Sequence, residues 1–304
     1  MPRDRRLAEQ DARREASAER APTVHATLLG TGTSTGVPVL GCGCRVCTSE
    51  DPRDDRLRSS CHLEARPPGA ARGEGRAVHL QIDTGPDFRR QALRYRIERI
   101  DAALYTHAHS DHVTGLDDLR PFFFENKTPV PCFARPHTAE RLRAMFPHIF
   151  VHDEYPTAAN LTLRELTGER APFFAESRYD SGSNGRQDAP PVRVEPVPLL
   201  HGELPTCGFR VGRFAYLTDA STLPEASRAQ LEGRVDTLVI DALHRRDHPT
   251  HFSIGEAVQV ARRIGARETY FTHLTHSVRH AEEEPRLPED VHLAYDGLEL
   301  DVEG

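Results

Sequence analysis

No run of about 18 apolar residues occurs in the chain, so the sequence offers no membrane-spanning helix. The first 22 residues, MPRDRRLAEQDARREASAERAP, lack the apolar core of a secretory signal. They are dense in Ala, Arg and Glu and read as a charged, disordered or partly helical extension ahead of the fold. Together these absences point to the cytoplasm. Lysine is nearly missing: Lys127 is the single lysine among 39 basic residues. Arginine forks suit phosphate, while coding bias in a GC-rich genome would give the same skew. A surplus of positive charge is missing too. The formal charge is -7, with arginines and acids interspersed, so the chain cannot grip long nucleic acid by charge alone. A local basic patch around a small phosphate remains compatible with that balance. A disulfide framework is not expected in a reducing compartment. Three of the six cysteines crowd into GCGCRVC as Cys42, Cys44 and Cys47. In a reducing compartment such crowding means metal or redox chemistry. Cys61, Cys132 and Cys207 read as small packed side chains.

What is present suits a soluble α/β protein. The 304 residues allow one large domain or two ordinary ones, and no linker interrupts residues 23 to 301. Strands are expected at TVHATLLG, AVHLQID, RIDAALYT, PVPCFAR, VRVEPVPLL, GFRVGRFAYLTD, DTLVIDA and ETYFTH. Helices are expected at GPDFRRQALRYR, at TGLDDLRPFFF (stopped near Pro121) and at TAERLRAMF, with Thr138 as N-cap. A further helix, IGEAVQVARRIG, ends on Gly265 as C-cap. The segments near residues 66–76 and 176–191 read as polar loops. Several strands end in histidine or aspartate: LYTHAHSDH, PLLH, YLTD, YFTH. Polar groups at strand ends, held by a rigid sheet, are how an α/β fold builds a site.

THAHSDH places His107, His109, Asp111 and His112 within six positions. Neutral imidazole and carboxylate are ligands that Zn²⁺ accepts and that also suit Mn²⁺ or Fe²⁺. This motif, with His201 after VPLL, Asp219 in YLTDAS and His273 in YFTHLTHS, resembles the metallo-β-lactamase superfamily in both order and strand context. The resemblance runs from about Thr23 to the C-terminus. It implies an αββα sandwich of two pseudo-equivalent halves over residues 23–304, with two divalent metal ions, zinc or manganese, at one edge. His107, His109 and His201 would hold one metal; Asp111, His112 and His273 would hold the other; Asp219 would bridge them. Two such cations about 3.5–4 Å apart activate water and neutralise charge building on the electrophile.

GCGCRVC supplies three thiolates, which with one imidazole would make a closed, structural zinc site; free thiols or a redox pair are the alternatives. The stretch LGTGTSTGVPVLGCGCRVC resembles one branch of the superfamily, the phosphoribosyl 1,2-cyclic phosphate phosphodiesterases. That resemblance makes Cys42, Cys44, Cys47 and His276 the structural zinc ligands. HPTHFSIGEAVQVA resembles the same branch and the tRNA 3′-processing nucleases, which carry a catalytic histidine before a similar helix. His251 is the match, as proton donor to the leaving oxygen; His248 is its rival, and a plain helix-capping histidine is the other reading. Asp111 joins His251 as a catalytic candidate. In IDTGPD, Asp83 either hydrogen-bonds the metal ligands, as the superfamily's first motif implies, or makes an ordinary Asx turn. GTGTSTG lacks the Gly-Lys-Ser/Thr ending of a phosphate loop, so its glycines serve close backbone approach instead.

The expected activity is therefore hydrolysis of a small cyclic or nucleotide-like phosphodiester, in the narrowest form 5-phosphoribosyl 1,2-cyclic phosphate. The expected partners are that small-molecule substrate and, as is common in the family, a second copy of the chain; long nucleic acid and membrane are not. A tRNA 3′-processing endonuclease would share the metals and His251, but the sequence shows no long basic arm rich in Gly and Pro. An ester, thioester or lactam hydrolase and a non-catalytic metal-binding scaffold are the remaining alternatives. A flavodiiron-type oxidoreductase would need a carboxylate where His109 stands.

Overall fold

The computed structural model describes residues 21–68, 77–150, 161–178 and 189–304. The expected extension, except for its last two residues, and most of the two polar loops lie outside these. The described strands form two seven-stranded sheets. The first contains β1 (Thr23–Gly30), β2 (Ser60–Arg66), β3 (Val78–Ile82), β4 (Ala102–Tyr105), β5 (Val130–Ala134), β6 (Leu161–Glu165) and β14 (Glu299–Val302), in the order β14-β1-β2-β3-β4-β5-β6. The second contains β7 (Phe173–Ala175), β8 (Val192–His201), β9 (Leu204–Val211), β10 (Phe214–Leu217), β11 (Thr237–Asp241), β12 (Glu268–Thr272) and β13 (Val291–Leu293), in the order β13-β12-β11-β10-β9-β8-β7.

Alternation along the strands builds the layers. Val24, Ala26 and Leu28 on β1 and Cys61, Leu63 and Ala65 on β2 face one way, toward Val194, Phe209, Val211 and Tyr216 of the second sheet. These inter-sheet residues are buried. On the outer side of the first sheet, Ala103, Tyr105 and Cys132 meet Phe88 of α1 (Phe88–Arg94). The short α2 (Ser110–Val113) and α3 (Arg120–Asn126) follow β4, and Leu142 of α4 (Pro136–Met145) covers the same face. On the outer side of the second sheet, Leu238 and Ile240 meet Leu231 of α5 (Glu225–Leu231) and Ala257, Ala261 and Ile264 of α6 (Ile254–Ile264). Central β4 and β11 are buried along their whole length, as parallel strands covered on both faces must be. The four layers are the expected αββα sandwich.

Several local expectations need correction. GFRVGRFAYLTD is a hairpin, not one strand: Gly212, at φ 56°, turns β9 into β10. Pro121 opens α3 rather than stopping a helix, because the first turn needs no proline N–H. Likewise Pro136 opens α4 behind Arg135, which leaves Thr138 buried inside the helix instead of capping it. SCHLEAR is a central strand, β2, whose strict alternation of apolar and polar residues escaped notice among its polar neighbours. Strands β6, β7, β13 and β14 were not anticipated; each is short and depends on a partner for its hydrogen bonds.

Strand direction decides where the polar strand ends go. β3 and β4 are parallel, as are β10, β11 and β12. β8 runs antiparallel to β9, which runs antiparallel to β10, so β8 and β10 point the same way. The C-terminal ends of these strands therefore deliver Asp83, His107, His201, Asp219, Asp241 and His273 to one edge. Asp83, Asp219 and His273 adopt left-handed backbone angles (φ 56°, 53° and 62°), which turn the chain sharply and aim each side chain across the edge. α6 leaves the same edge. Its N-cap Ser253 and Glu256 form a reciprocal capping box, with Ser253 N–H donating to Glu256 Oε2 at 2.8 Å, and Gly265 closes the helix in the left-handed conformation. Ser253→Ala is expected to lower stability by about 1 kcal/mol, measured as a shift in the urea midpoint.

Candidate metal centre

The edge holds a compact set of imidazoles and carboxylates. Donor atoms of His109, His201 and Asp219 lie within 4.8 Å of one another, as do those of Asp111, His112 and His273. His107 groups with His112 and Asp219, between the two sets. Asp219 reaches across: its Oδ1 is 3.4 Å from His273 Nε2 and 3.8 Å from His107 Nε2, and its Oδ2 is 3.2 Å from His112 Nε2. The seven residues expected to form a dinuclear site thus share one cluster, with Asp219 in its middle.

The hydrogen bonds orient the rings. His112 Nδ1 donates to Asp83 Oδ2 at 2.7 Å. Thr106 donates its hydroxyl to the same oxygen at 2.7 Å, and its oxygen lies 3.0 Å from His107 Nδ1, placed to accept that proton. His201 Nδ1 donates to the Thr250 carbonyl at 2.6 Å. In each case the Nδ1 proton is committed, which leaves an Nε2 lone pair facing the cluster. The Nε2 atoms of His107, His112 and His273 are buried and have no hydrogen-bond partner among the described residues. Buried polar atoms without partners are costly, and a divalent cation is the ligand these lone pairs fit. Asp83, which also accepts the Thr106 N–H at 2.9 Å, supports the ligands by hydrogen bonds and makes no Asx turn. Gly85 in the same motif has no room for a side chain, since a Cβ there would lie 2.0 Å from the Asp111 carbonyl oxygen.

Protonation follows the same crowding. Burial opposes charge on His112, but Asp219, Asp83 and Asp111 outweigh it and raise its pKa well above the usual imidazole range. Burial likewise opposes charge on Asp219, yet His273, His112 and His107 hold its pKa well below the carboxylate range. Burial depresses His107 and His273. A cation bound between Asp111, His112 and Asp219 would therefore displace a proton.

His251, the expected proton donor, sits inside this cluster. Its ring centroid is 4.4 Å from that of His201 and 4.6 Å from that of His273. Its nitrogen, Asp219 and His273 also form a possible ligand group. His251 Nδ1 donates to Asp241 Oδ2 at 2.8 Å, which orients the ring. His248 lies behind it, ring centroids 5.3 Å apart and tilted by 45°, one ring further from the cluster. Sequence reasoning missed Asp241. It lies at the end of DTLVIDA, the one central strand whose terminal acid went unremarked beside YLTD and YFTH. Its carboxylate accepts from Ala220 N–H at 2.9 Å, and its other oxygen is 3.6 Å from His273 Nδ1.

A second cluster lies in the long loop after β1. Cys42, Cys44 and Cys47 approach His276 Nδ1 at 3.3, 3.7 and 3.5 Å. Tetrahedral zinc, with bonds of about 2.3 Å to sulfur and about 2.0–2.1 Å to nitrogen, separates such ligands by about 3.5 Å. Four donors with this spacing make a closed site. The loop has other anchors that sequence reasoning did not foresee. Fully buried Arg56 donates to the carbonyls of Thr275 (3.3 Å) and Val278 (2.9 Å), and pairs with Asp54 at 3.0 Å. Asp54 accepts the His280 N–H at 2.8 Å. Asp296 accepts from Thr31 N–H, the Thr31 hydroxyl and Leu57 N–H, while burial pushes its carboxyl up to about 7. Gly30 and Gly32 press against the backbone of Arg56, Leu57 and Arg58, where a side chain would not fit.

Comparison with known proteins agrees with this architecture. Residues 79–274 match the family model described as a beta-lactamase superfamily domain. A crystal structure of a diphosphatase from the PhnP family superposes with a TM-score of 0.76 at 39% identity, covering 92% of this chain and 98% of that one. An octanoyltransferase of Porphyromonas gingivalis is 36% identical over 278 residues, 91% of this chain; the chain spans about half (51%) of that protein's length. A ribonuclease Z of Mycobacterium bovis is 28% identical over 245 residues, covering 72% of this chain and 83% of that protein. Among the described residues no helix is long and apolar enough to cross a membrane. Two mixed sheets with helices outside, ligand-bearing strand ends on one edge and these matches lead to one assignment: the chain belongs to the metallo-β-lactamase superfamily, in the branch of the PhnP-family diphosphatase.

Proposed function

We propose that this metal-dependent hydrolase is a phosphodiesterase for a small cyclic or nucleotide-like phosphodiester, in the narrowest form 5-phosphoribosyl 1,2-cyclic phosphate. The observation that carries the reading is an imidazole, His251, oriented by a buried carboxylate and packed against rings on both sides of Asp219. A phosphodiester must release an alkoxide, which an acid held in this position protonates. The PhnP-family likeness supports the same chemistry.

His107, His109, His201 and Asp219 would hold one divalent cation, and Asp111, His112, His273 and Asp219 the other, as Zn²⁺ or Mn²⁺. When bound, the cations supply an activated water and neutralise charge on the phosphoryl oxygens. The protein's own contribution is orientation and proton transfer. Asp241 accepts the His251 Nδ1 proton, so Nε2 is the nitrogen left to act on substrate. With a proton on each ring nitrogen, His251 passes the one on Nε2 to the leaving oxygen as its bond to phosphorus breaks, and is left neutral; burial, which lowers its pKa, favours that release. Asp111 acts through its place beside His112 Nε2, at 3.1 Å. Cys42, Cys44, Cys47 and His276 would hold a structural Zn²⁺, tying the long loop to the segment that follows His273. A small substrate suits a chain of net charge -7 without a basic arm in its sequence. The ribonuclease Z likeness is what favours the second reading, cleavage at the 3′ end of a precursor tRNA.

Activity on bis-p-nitrophenyl phosphate, a five-carbon cyclic phosphate and a precursor tRNA separates these readings. Cleavage of the small diesters with intact tRNA is the expected result; tRNA cleaved at its 3′ end would transfer the assignment to the nuclease. His251→Ala is expected to lower turnover roughly 10²–10⁴-fold while elemental analysis finds the metal content of the wild type. Wild-type turnover in that variant would remove the proton-donor role. Cys44→Ser should lose the structural zinc and melt at lower temperature, read by elemental analysis and thermal unfolding; unchanged zinc content would rule out the four-ligand site.

A further inference from the structure

We infer that the protein has a second anion site, for a phosphate-class dianion, at the end of the second sheet remote from the metal centre. A cavity of ≈ 210 Å³ opens there, lined by Arg193, Glu195, Arg210, Arg213 and Arg234. Arg193 is the second residue of β8 and His201 the last. At about 3.3 Å per residue, the two lie roughly 26 Å apart along the strand, so the cavity is no extension of the catalytic edge.

The lining is ordered before any ligand arrives. Glu195 and Arg210 are directly paired across β8 and β9, and both are more than nine-tenths buried. Arg210 Nη2 is 2.6 Å from Glu195 Oε2, and its Nη1 donates to the Gly212 carbonyl at 2.6 Å. The other Glu195 oxygen holds Arg193 at 2.8 Å. Arg213 is held by Asp236 through two contacts, at 2.5 and 2.6 Å. Arg234 is exposed and has no ion-pair partner among the described residues. Among these described side chains four guanidiniums thus meet two carboxylates, a surplus of two positive charges on a chain of net charge -7. A buried ion pair is a poor source of stability but a good way to hold a fork in one orientation. Arg193 and Arg234 keep donors free, and planar forks match the oxygens of a phosphate. Gly233, at φ 67°, borders the cavity, and a Cβ there would meet nothing within 4 Å, so the mouth stays wide. The surplus charge matches a dianion, and the volume admits a phosphate with a small organic group attached.

Equilibrium dialysis of the metal-loaded protein against labelled inorganic phosphate, and separately against adenosine monophosphate, tests the site. The catalytic edge is expected to take phosphate as well, so the comparison is with Arg193→Gln/Arg234→Gln. The wild type should bind one more phosphate per chain than the double variant, whose remote site should be at least about tenfold weaker. Its bis-p-nitrophenyl phosphate turnover and melting temperature should stay those of the wild type. Tighter binding of the nucleotide than of phosphate would identify a phosphomonoester as the ligand, and equal or weaker binding the free ion. Equal stoichiometry in wild type and double variant overturns the proposal. So does loss of turnover together with binding, because the anion would then be read at the metal centre.

Discussion

One buried carboxylate organises the edge of this protein. Asp219 stands at the end of β10 in a left-handed conformation, among imidazoles delivered by β4, the segment after it, and β12. A carboxylate so deeply buried is tolerated only where positive charge meets it. The surrounding imidazoles meet part of that demand, and divalent cations bound there would meet the rest. The neighbouring groups follow from this demand: Asp83 and Thr106 turn two rings toward Asp219, the Thr250 carbonyl turns a third, and Asp241 turns His251. His112 is thereby held from the end of β3, His107 by its own neighbour and His201 by the loop before α6, so the cluster and the sandwich depend on each other.

The long loop after β1 is the second dependent structure. It has little regular structure of its own, yet it crosses to the segment after His273 and is fastened there at three kinds of anchor. The thiolates and His276 form one, the buried Arg56–Asp54 pair a second, and Asp296 a third. The last two need no metal. They hold Thr31, Leu57, Thr275 and Val278 together, which brings the cysteines within reach of His276. The placement couples the loop to the catalytic edge, because His276 lies three residues beyond His273.

Much of this was legible in the sequence. The histidines and aspartates at strand ends were visible because each follows an apolar run, and THAHSDH was dense enough to read alone. The central strands were visible because full burial demands continuous apolar residues. Less legible were elements whose reason lies elsewhere in the fold. Pro121 looks like a helix stop and is a helix start, since a proline's effect depends on which side of it the helix falls; Pro136 likewise opens the helix that Thr138 was expected to cap. The turn at Gly212 was hidden inside one long apolar pattern. Asp241 was passed over because a lone acid at a strand end has no local partner; its partners, His251 and Ala220, come from other segments. Arg56 and Asp296 were invisible for the same reason.

The sequence by itself determined the inventory: which residue types stand at strand ends, which runs are buried, and a resemblance that named the superfamily and its αββα architecture. Only the tertiary structure decided the distances. Whether Asp219 lies between His112 and His273, whether His251 faces the cluster, and whether three cysteines surround His276 all depend on strand direction and sheet order. These are set by packing between residues far apart in the chain, and spacing along a sequence carries no record of how two sheets meet.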